Sequence, residues 1–109
     1  METRQPDAEL VPVAIPQKNG DPVMFRVSEA FAPQVLAVLK GWGWSGNDSR
    51  HDMLNVNGSG ISLGHPIGAT GVRILASMLH EMHRRKVRYG LETMCIGGGQ
   101  GIAAVFERA

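Results

Sequence analysis

Between Ile67 and Met82 the residues Ile67, Gly71, Ile74, Leu75, Met78, Leu79 and Met82 recur with a period of about 3.6. This predicts a helix from Pro66 onward with one apolar stripe wide enough to be buried. The run HRRKVRYG puts cations in its last turn and Gly90 beyond them, as a helix C-terminus favours. Phe31, Val35, Val38 and Leu39 share the same spacing and predict an earlier helix that stops at Gly41. Pro33 deep inside a helix would remove a hydrogen bond, so the regular part begins with Pro33 in its first turn.

Shorter runs have the strand signature. Residues 8–15 (AELVPVAI) alternate, but Pro12 confines them to an edge strand or a loop. PVMFRV at 22–27 is rich in β-branched and aromatic residues and predicts a short strand. MLNVNGSGISL at 53–63 reads as a strand that breaks into glycines. The tail reads as two strands joined by Gly97-Gly98-Gly99, the second running from Gly101 to Phe106, and together they predict an antiparallel pair. QKNGDP at 17–22 carries turn chemistry and marks a boundary, and WGWSGNDSRHD at 42–52 is a polar, glycine-bearing loop. No internal repeat or low-complexity tract interrupts this order.

The length of 109 residues fits one small domain that buries roughly two-thirds of its unfolded surface. Hydrophobic residues at 43% and charged residues at 19% place the chain among globular proteins rather than disordered tails. A formal net charge of +1 supplies no broad field for nucleic acid or an anionic membrane, so neither is expected as a partner. Cys95 is the one cysteine and lacks zinc-type neighbours, which points to a reducing compartment. The first residues form no apolar core of a signal peptide and no mitochondrial presequence, and no run approaches the ~20 apolar residues of a membrane span. A soluble, cytoplasmic protein is the expectation.

Three polar positions fall where predicted elements meet glycine-rich loops: Ser28 with Glu29, His65 in GHPIGATG, and Cys95. Rigid elements can position such groups while the loop leaves room for a substrate. His65, between Gly64 and Pro66, can exchange a proton near neutral pH, and helix amides starting at Pro66 would favour a nearby anion. Equally, His65 can cap the helix or fill a turn. Cys95 can be a small buried hydrophobe, or a thiol beside glycines whose amides approach a ligand closely. GGGQG lacks the third glycine of a dinucleotide loop, since position 102 is Ile102, and NGSGISLG lacks the lysine of a phosphate loop. HEMHRRKVR fits a solvated helix end better than a phosphate contact. His80 and His83 share a face without a third ligand, so no metal is expected.

Taken together, NVNGSGISLGHPIGATGVRILASMLHEM and CIGGGQGIAAVFE resemble the C-terminal part of the thiolases, the acyl-CoA acetyltransferases of the β-ketothiolase family. The resemblance covers roughly residues 54 to 107. It implies a partial thiolase-like layered α/β fold, a mixed sheet with a buried helix packed on it. Residues 1–24 would then be an upstream thiolase-like segment and residues 25–109 the partial C-terminal domain. It also implies acyl transfer between a 3-ketoacyl-CoA or acetyl-CoA and coenzyme A, as thiolytic cleavage or Claisen condensation. Coenzyme A would be a substrate, with no permanently bound cofactor. His65 would be the activating base and oxyanion contact, Cys95 the acid/base, and the amide of Gly97 part of a second oxyanion hole. Each role suits its residue, because an imidazole accepts a proton and donates a hydrogen bond, and a thiol can cycle through thiolate.

Two departures from the family pattern qualify the expectation. SEAF stands where the family has NEAF, so Ser28 offers one hydroxyl in place of an amide with separate donor and acceptor. Loss of one oxyanion donor can cost ~10²-fold or more in rate. Because Cys95 already matches the acid/base position, the family's nucleophilic cysteine is absent from the chain. Residues 8–22 resemble a segment that normally lies well upstream of NEAF, so an internal piece is missing near Met24 to Val27, together with much of the region that holds coenzyme A. The chain by itself is expected to be inactive or nearly so. Its partners would be acyl-CoA, further copies of itself, or a full-length thiolase. The alternative is a non-catalytic fragment that acts through such association.

Overall fold

The computed structural model describes residues 22–109. The expected edge strand at 8–15 and most of the turn at 17–22 lie outside the described residues. Three strands form one mixed sheet in the order β1 (Val23–Val27), β2 (Tyr89–Ile96), β3 (Gln100–Glu107). β1 and β2 are parallel, from Val23 opposite Tyr89 to Val27 opposite Thr93. β2 and β3 are antiparallel, from Tyr89 opposite Glu107 to Ile96 opposite Gln100, so the glycine-linked pair forms as its sequence predicts.

A parallel pair needs a long crossover, and here it consists of α1 (Ala32–Gly41), a 3₁₀ turn at Ser49–Met53, α2 (Gly60–Leu63) and α3 (Thr70–Arg85). Pro33 lies in the first turn of α1, where its missing amide proton costs nothing. α3 buries Ile74, Met78 and Met82 against the sheet. Met24, Met78, Met82 and Val87 make the core cluster, with Leu75, Met53, Val56 and Phe106 packed around it. Gly90 faces this helix so closely that a Cβ there would lie 2.7 Å from the sulfurs of both Met78 and Met82. At the other end of the helix, a Cβ on Gly71 would lie 3.5 Å from the Met94 sulfur. α3 therefore runs against the strands, and its N-terminus lies at the end where β1 and β2 finish.

Strand alternation places Met24, Arg26, Glu92, Met94 and Phe106 on the α3 side of the sheet and Phe25, Leu91, Thr93, Cys95 and Val105 on the other. On that second side Phe25 packs edge-on to Trp44, with ring centroids 4.7 Å apart, and tilts against Trp42 at 5.5 Å. The polar loop expected at 42–52 thus carries aromatic packing, and its end winds into the 3₁₀ turn.

Three expectations are corrected. Residues 53–63 do not form a strand: Leu54 makes one isolated parallel bridge to Phe25, and the segment then turns and enters α2. The cause is Asn55, which adopts a left-handed conformation at φ 44° and uses its side chain in place of a strand backbone. Its Oδ1 accepts from Val27 N at 2.9 Å and its Nδ2 donates to Val27 O at 3.0 Å.

The long helix begins at Thr70 rather than Pro66. Residues 66–69 form a turn in which Pro66 O accepts from Ala69 N and Thr70 N, and Ile67 stands 90% exposed, outside the buried stripe. The helix also closes at Lys86, itself left-handed at φ 55°, with Val87 N donating to Met82 O at 2.9 Å. Gly90 is part of β2, where its missing side chain admits the two methionines.

Candidate active site

Ser28 directly follows β1, and Cys95 lies near the end of β2. The parallel register sets Val27 beside Thr93, and Ser28 N donates to Thr93 O at 2.8 Å. Ser28 and Cys95 are accordingly brought to the same end of neighbouring strands. Ser28 is buried, and Cys95 is a free, half-buried thiol. Gly97 opens the turn that leaves β2, at φ 54°, a left-handed value that glycine adopts without strain.

His65 arrives by a different route, from the loop between α2 and α3, and that loop is tethered at both ends to the same edge of the sheet. Upstream, Glu29 clamps it: Oε2 accepts from Ile61 N at 3.0 Å and Oε1 from Asn55 Nδ2 at 2.8 Å. Ser59, fully buried, donates from Oγ to Val27 O at 2.9 Å. Gly60 meets the main chain after β1 so tightly that a Cβ there would lie 2.7 Å from Glu29 O. Downstream, Gly71 of α3 touches Met94, the residue before Cys95.

The loop itself, residues 64–69, is exposed, as is the end of α2 that leads into it. Within it, His65 Nδ1 lies 2.7 Å from the hydroxyl of Thr70, and Arg73 Nη1 reaches Leu63 O at 3.4 Å. The anion-favouring helix start expected immediately after His65 is displaced, because the first helical residue is Thr70.

The arrangement sets an imidazole on an exposed loop anchored at the end of the sheet that also carries a serine and, on the face away from α3, a thiol. Such a set can exchange protons with a substrate at the rim and can donate hydrogen bonds to a developing oxyanion. Glu29, Asn55 and Thr70 build this end of the molecule, and residue type alone does not single out Asn55 or Thr70. The one signal for Asn55 was its place in an Asn-Val-Asn-Gly run, which breaks a strand as readily as it continues one. Among the described residues no three His, Cys, Asp or Glu side chains gather as metal ligands, and no helix is long and apolar enough to cross a membrane.

Comparison with known proteins gives consistent findings. A family model described as "Thiolase, C-terminal domain" matches residues 17–108. The chain is 53% identical over 91 residues to a 3-ketoacyl-CoA thiolase of Yersinia enterocolitica, covering 84% of this chain and 23% of that protein. It is 56% identical over 85 residues to the beta-ketothiolase BktB of Cupriavidus necator, covering 78% of this chain and 20% of that protein. Among solved structures, the human mitochondrial 3-ketoacyl-CoA thiolase superposes with a TM-score of 0.70 at 44% identity, over 79% of this chain and 20% of that one. The chain thus spans about a fifth to a quarter of the length of the relatives it matches.

Proposed function

Because the chain belongs to the thiolase family through the C-terminal thiolase domain, we propose that it carries the proton-handling half of a thiolase-type acyl transfer. A second chain would complete the reaction by supplying the nucleophilic cysteine. What supports this reading is that Cys95 and Ser28 lie at the same end of neighbouring strands and that the loop bearing His65 is anchored at that end.

In the cleavage direction the supplied thiolate, generated by proton loss to His65, attacks the keto carbonyl of a 3-ketoacyl-CoA. The bond between the α and β carbons breaks, the electron pair leaves with the acetyl-CoA carbon, and the Cys95 thiol delivers the proton to it. The thiol of coenzyme A, its proton passing to the Cys95 thiolate, then takes the acyl group from the supplied cysteine, which leaves as a thiolate and recovers the proton held by His65. His65 and the amide of Gly97 would hold the developing oxyanions, and Ser28 would stand where an asparagine donor is expected. Coenzyme A is consumed as a substrate in cleavage and released in the reverse condensation.

The test is complementation. The chain is mixed with a full-length thiolase whose GHP-motif histidine is replaced by alanine, and thiolysis of acetoacetyl-CoA by coenzyme A is followed. Turnover is expected in the mixture, little or none from either component alone, and loss of the gain with His65→Ala or Cys95→Ala. No gain in the mixture, or robust turnover by this chain alone, would defeat the proposal.

A second reading, a non-catalytic component that binds itself or a full-length thiolase, is favoured by the apolar residues left uncovered. Phe31, Leu36, Val72 and Leu79 are all exposed, and α1 buries Leu39 alone. In the same assay this reading expects a stable complex without turnover.

A further inference from the structure

The hydroxyl of Thr70 is enclosed: the residue is 1% exposed, and Oγ1 has two close polar neighbours, His65 Nδ1 at 2.7 Å and Pro66 O at 3.1 Å. A threonine hydroxyl has one proton and must use it toward one of the two. If the proton pointed at the imidazole, two acceptor oxygens would face each other at 3.1 Å with nothing between them, a repulsive contact at a buried residue. If it points at Pro66 O, as helix threonines commonly bond the carbonyl four residues back, the hydroxyl oxygen is free to accept. The close nitrogen must then be the donor. We propose that Thr70 is a positioning residue that holds neutral His65 as the Nδ1–H tautomer and so presents an unprotonated Nε2 to the exposed side of the loop.

The consequence is chemical. The nitrogen that is not hydrogen-bonded to its own loop is the one that can act on a substrate, and the partner of the other nitrogen decides which form it takes. Nε2 with a free lone pair is a proton acceptor, whereas Nε2–H could only donate. Thr70 also fixes the ring plane, since its own backbone is locked into the first turn of α3 by the bond from its amide to Pro66 O at 3.1 Å. The use of this tautomer as a base rests on the acyl-transfer reading; the tautomer itself does not.

The test separates the two. Long-range proton–nitrogen correlation spectra of the ¹⁵N-labelled full chain, recorded where the imidazoles are neutral, distinguish protonated from unprotonated ring nitrogens. Of the four histidines, His65 is identified by the signals lost in His65→Gln. The expected result is a protonated Nδ1 and an unprotonated Nε2 for His65 in the unaltered chain. Thr70→Ser keeps this pattern, and Thr70→Val moves it toward the Nε2–H form with the backbone amide spectrum otherwise preserved.

An Nε2–H signature for His65 in the unaltered chain would overturn the proposal, as would a folded Thr70→Val with an unchanged pattern. Should Thr70→Val fail to fold, the unaltered chain and Thr70→Ser still decide it, because both must show the Nδ1–H form. In the complementation mixture Thr70→Val is expected to lower kcat at least tenfold with KM little changed, with rescue by Thr70→Ser. Absence of any turnover in that mixture would remove the acyl-transfer reading and leave the tautomer standing.

Discussion

Gly60 and Gly90 both occupy places where a side chain would collide, yet their neighbours differ in kind. A Cβ at Gly60 would meet the Glu29 carbonyl, main chain just beyond Val27, whose carbonyl accepts the Asn55 and Ser59 bonds, while a Cβ at Gly90 would meet the side chains of two flexible methionines. Gly60→Ala is therefore expected to destabilise by about 1–3 kcal/mol, the usual range for overpacking, and Gly90→Ala by less. Urea midpoints of the two variants check the order, and equal midpoints would contradict it. Asn55→Ala removes the side chain that pairs both polar groups of Val27 and also strands Glu29 Oε1. A loss of about 1–3 kcal/mol is expected by the same measurement. At this scale His65 and Cys95 stood out as candidates through the motifs around them, since each also has an ordinary use, as a cap or turn residue and as a small buried hydrophobe. Asn55 was not, because its importance comes from a left-handed backbone and from a strand 28 residues away.

α3 shows how an element combines opposing electrostatic terms. Glu81 is buried and receives hydrogen bonds from Arg84 and Arg85, which, Arg84 first, hold its carboxyl at about 2, down from an ordinary 4.5. A depressed folded value means that the unfolded chain takes up the proton first. This contribution is thus complete above pH 4.5 and is lost as pH falls toward 2. Glu92, on the sheet face that α3 covers, has the opposite sign, because burial raises its carboxyl and disfavours the charged form. Its penalty sets in as pH rises through the carboxylate range. Glu92→Gln is accordingly expected to raise stability at neutral pH, and Glu81→Gln to flatten the acid limb of the stability profile, both read from denaturant melts across pH. Met78→Ala, at the centre of the same contact, should cost about 2–5 kcal/mol, and a loss below 1 kcal/mol would show that the helix is not seated as described.

Over the described residues the chain forms a three-stranded sheet with one face covered by α3 and with apolar side chains left facing outward. Val72 and Leu79 project from the far side of α3, and Phe31 and Leu36 from α1. Apolar surface of this kind is costly in water, and on the association reading proposed above a second chain would cover it. Light scattering coupled to size exclusion is expected to give a mass above the 11.8 kDa of one chain, rising with concentration, and Val72→Lys with Leu36→Lys is expected to shift it toward the monomer. A clean monomer at high concentration would argue against self-association.

The sequence by itself determined the elements whose evidence is local. The period of Ile74, Met78 and Met82, the proline in the first turn of α1 and the glycines between β2 and β3 each act through neighbours a few residues away, and all appear as read. The motif residues around His65 and Cys95 were equally local, and so was the family they point to. Tertiary structure decided the rest: that residues 53–63 turn rather than extend, that α3 starts at Thr70, and that Gly90 serves a strand instead of ending a helix. Asn55 overrode the strand through bonds to Val27, 28 residues away, Gly90 was claimed by the methionines of α3, and the start of α3 was set by the turn in which Pro66 O accepts from Ala69 N and Thr70 N. Only the folded chain contains the energies of Asn55 on Val27, of Thr70 on His65 and of two methionines on Gly90.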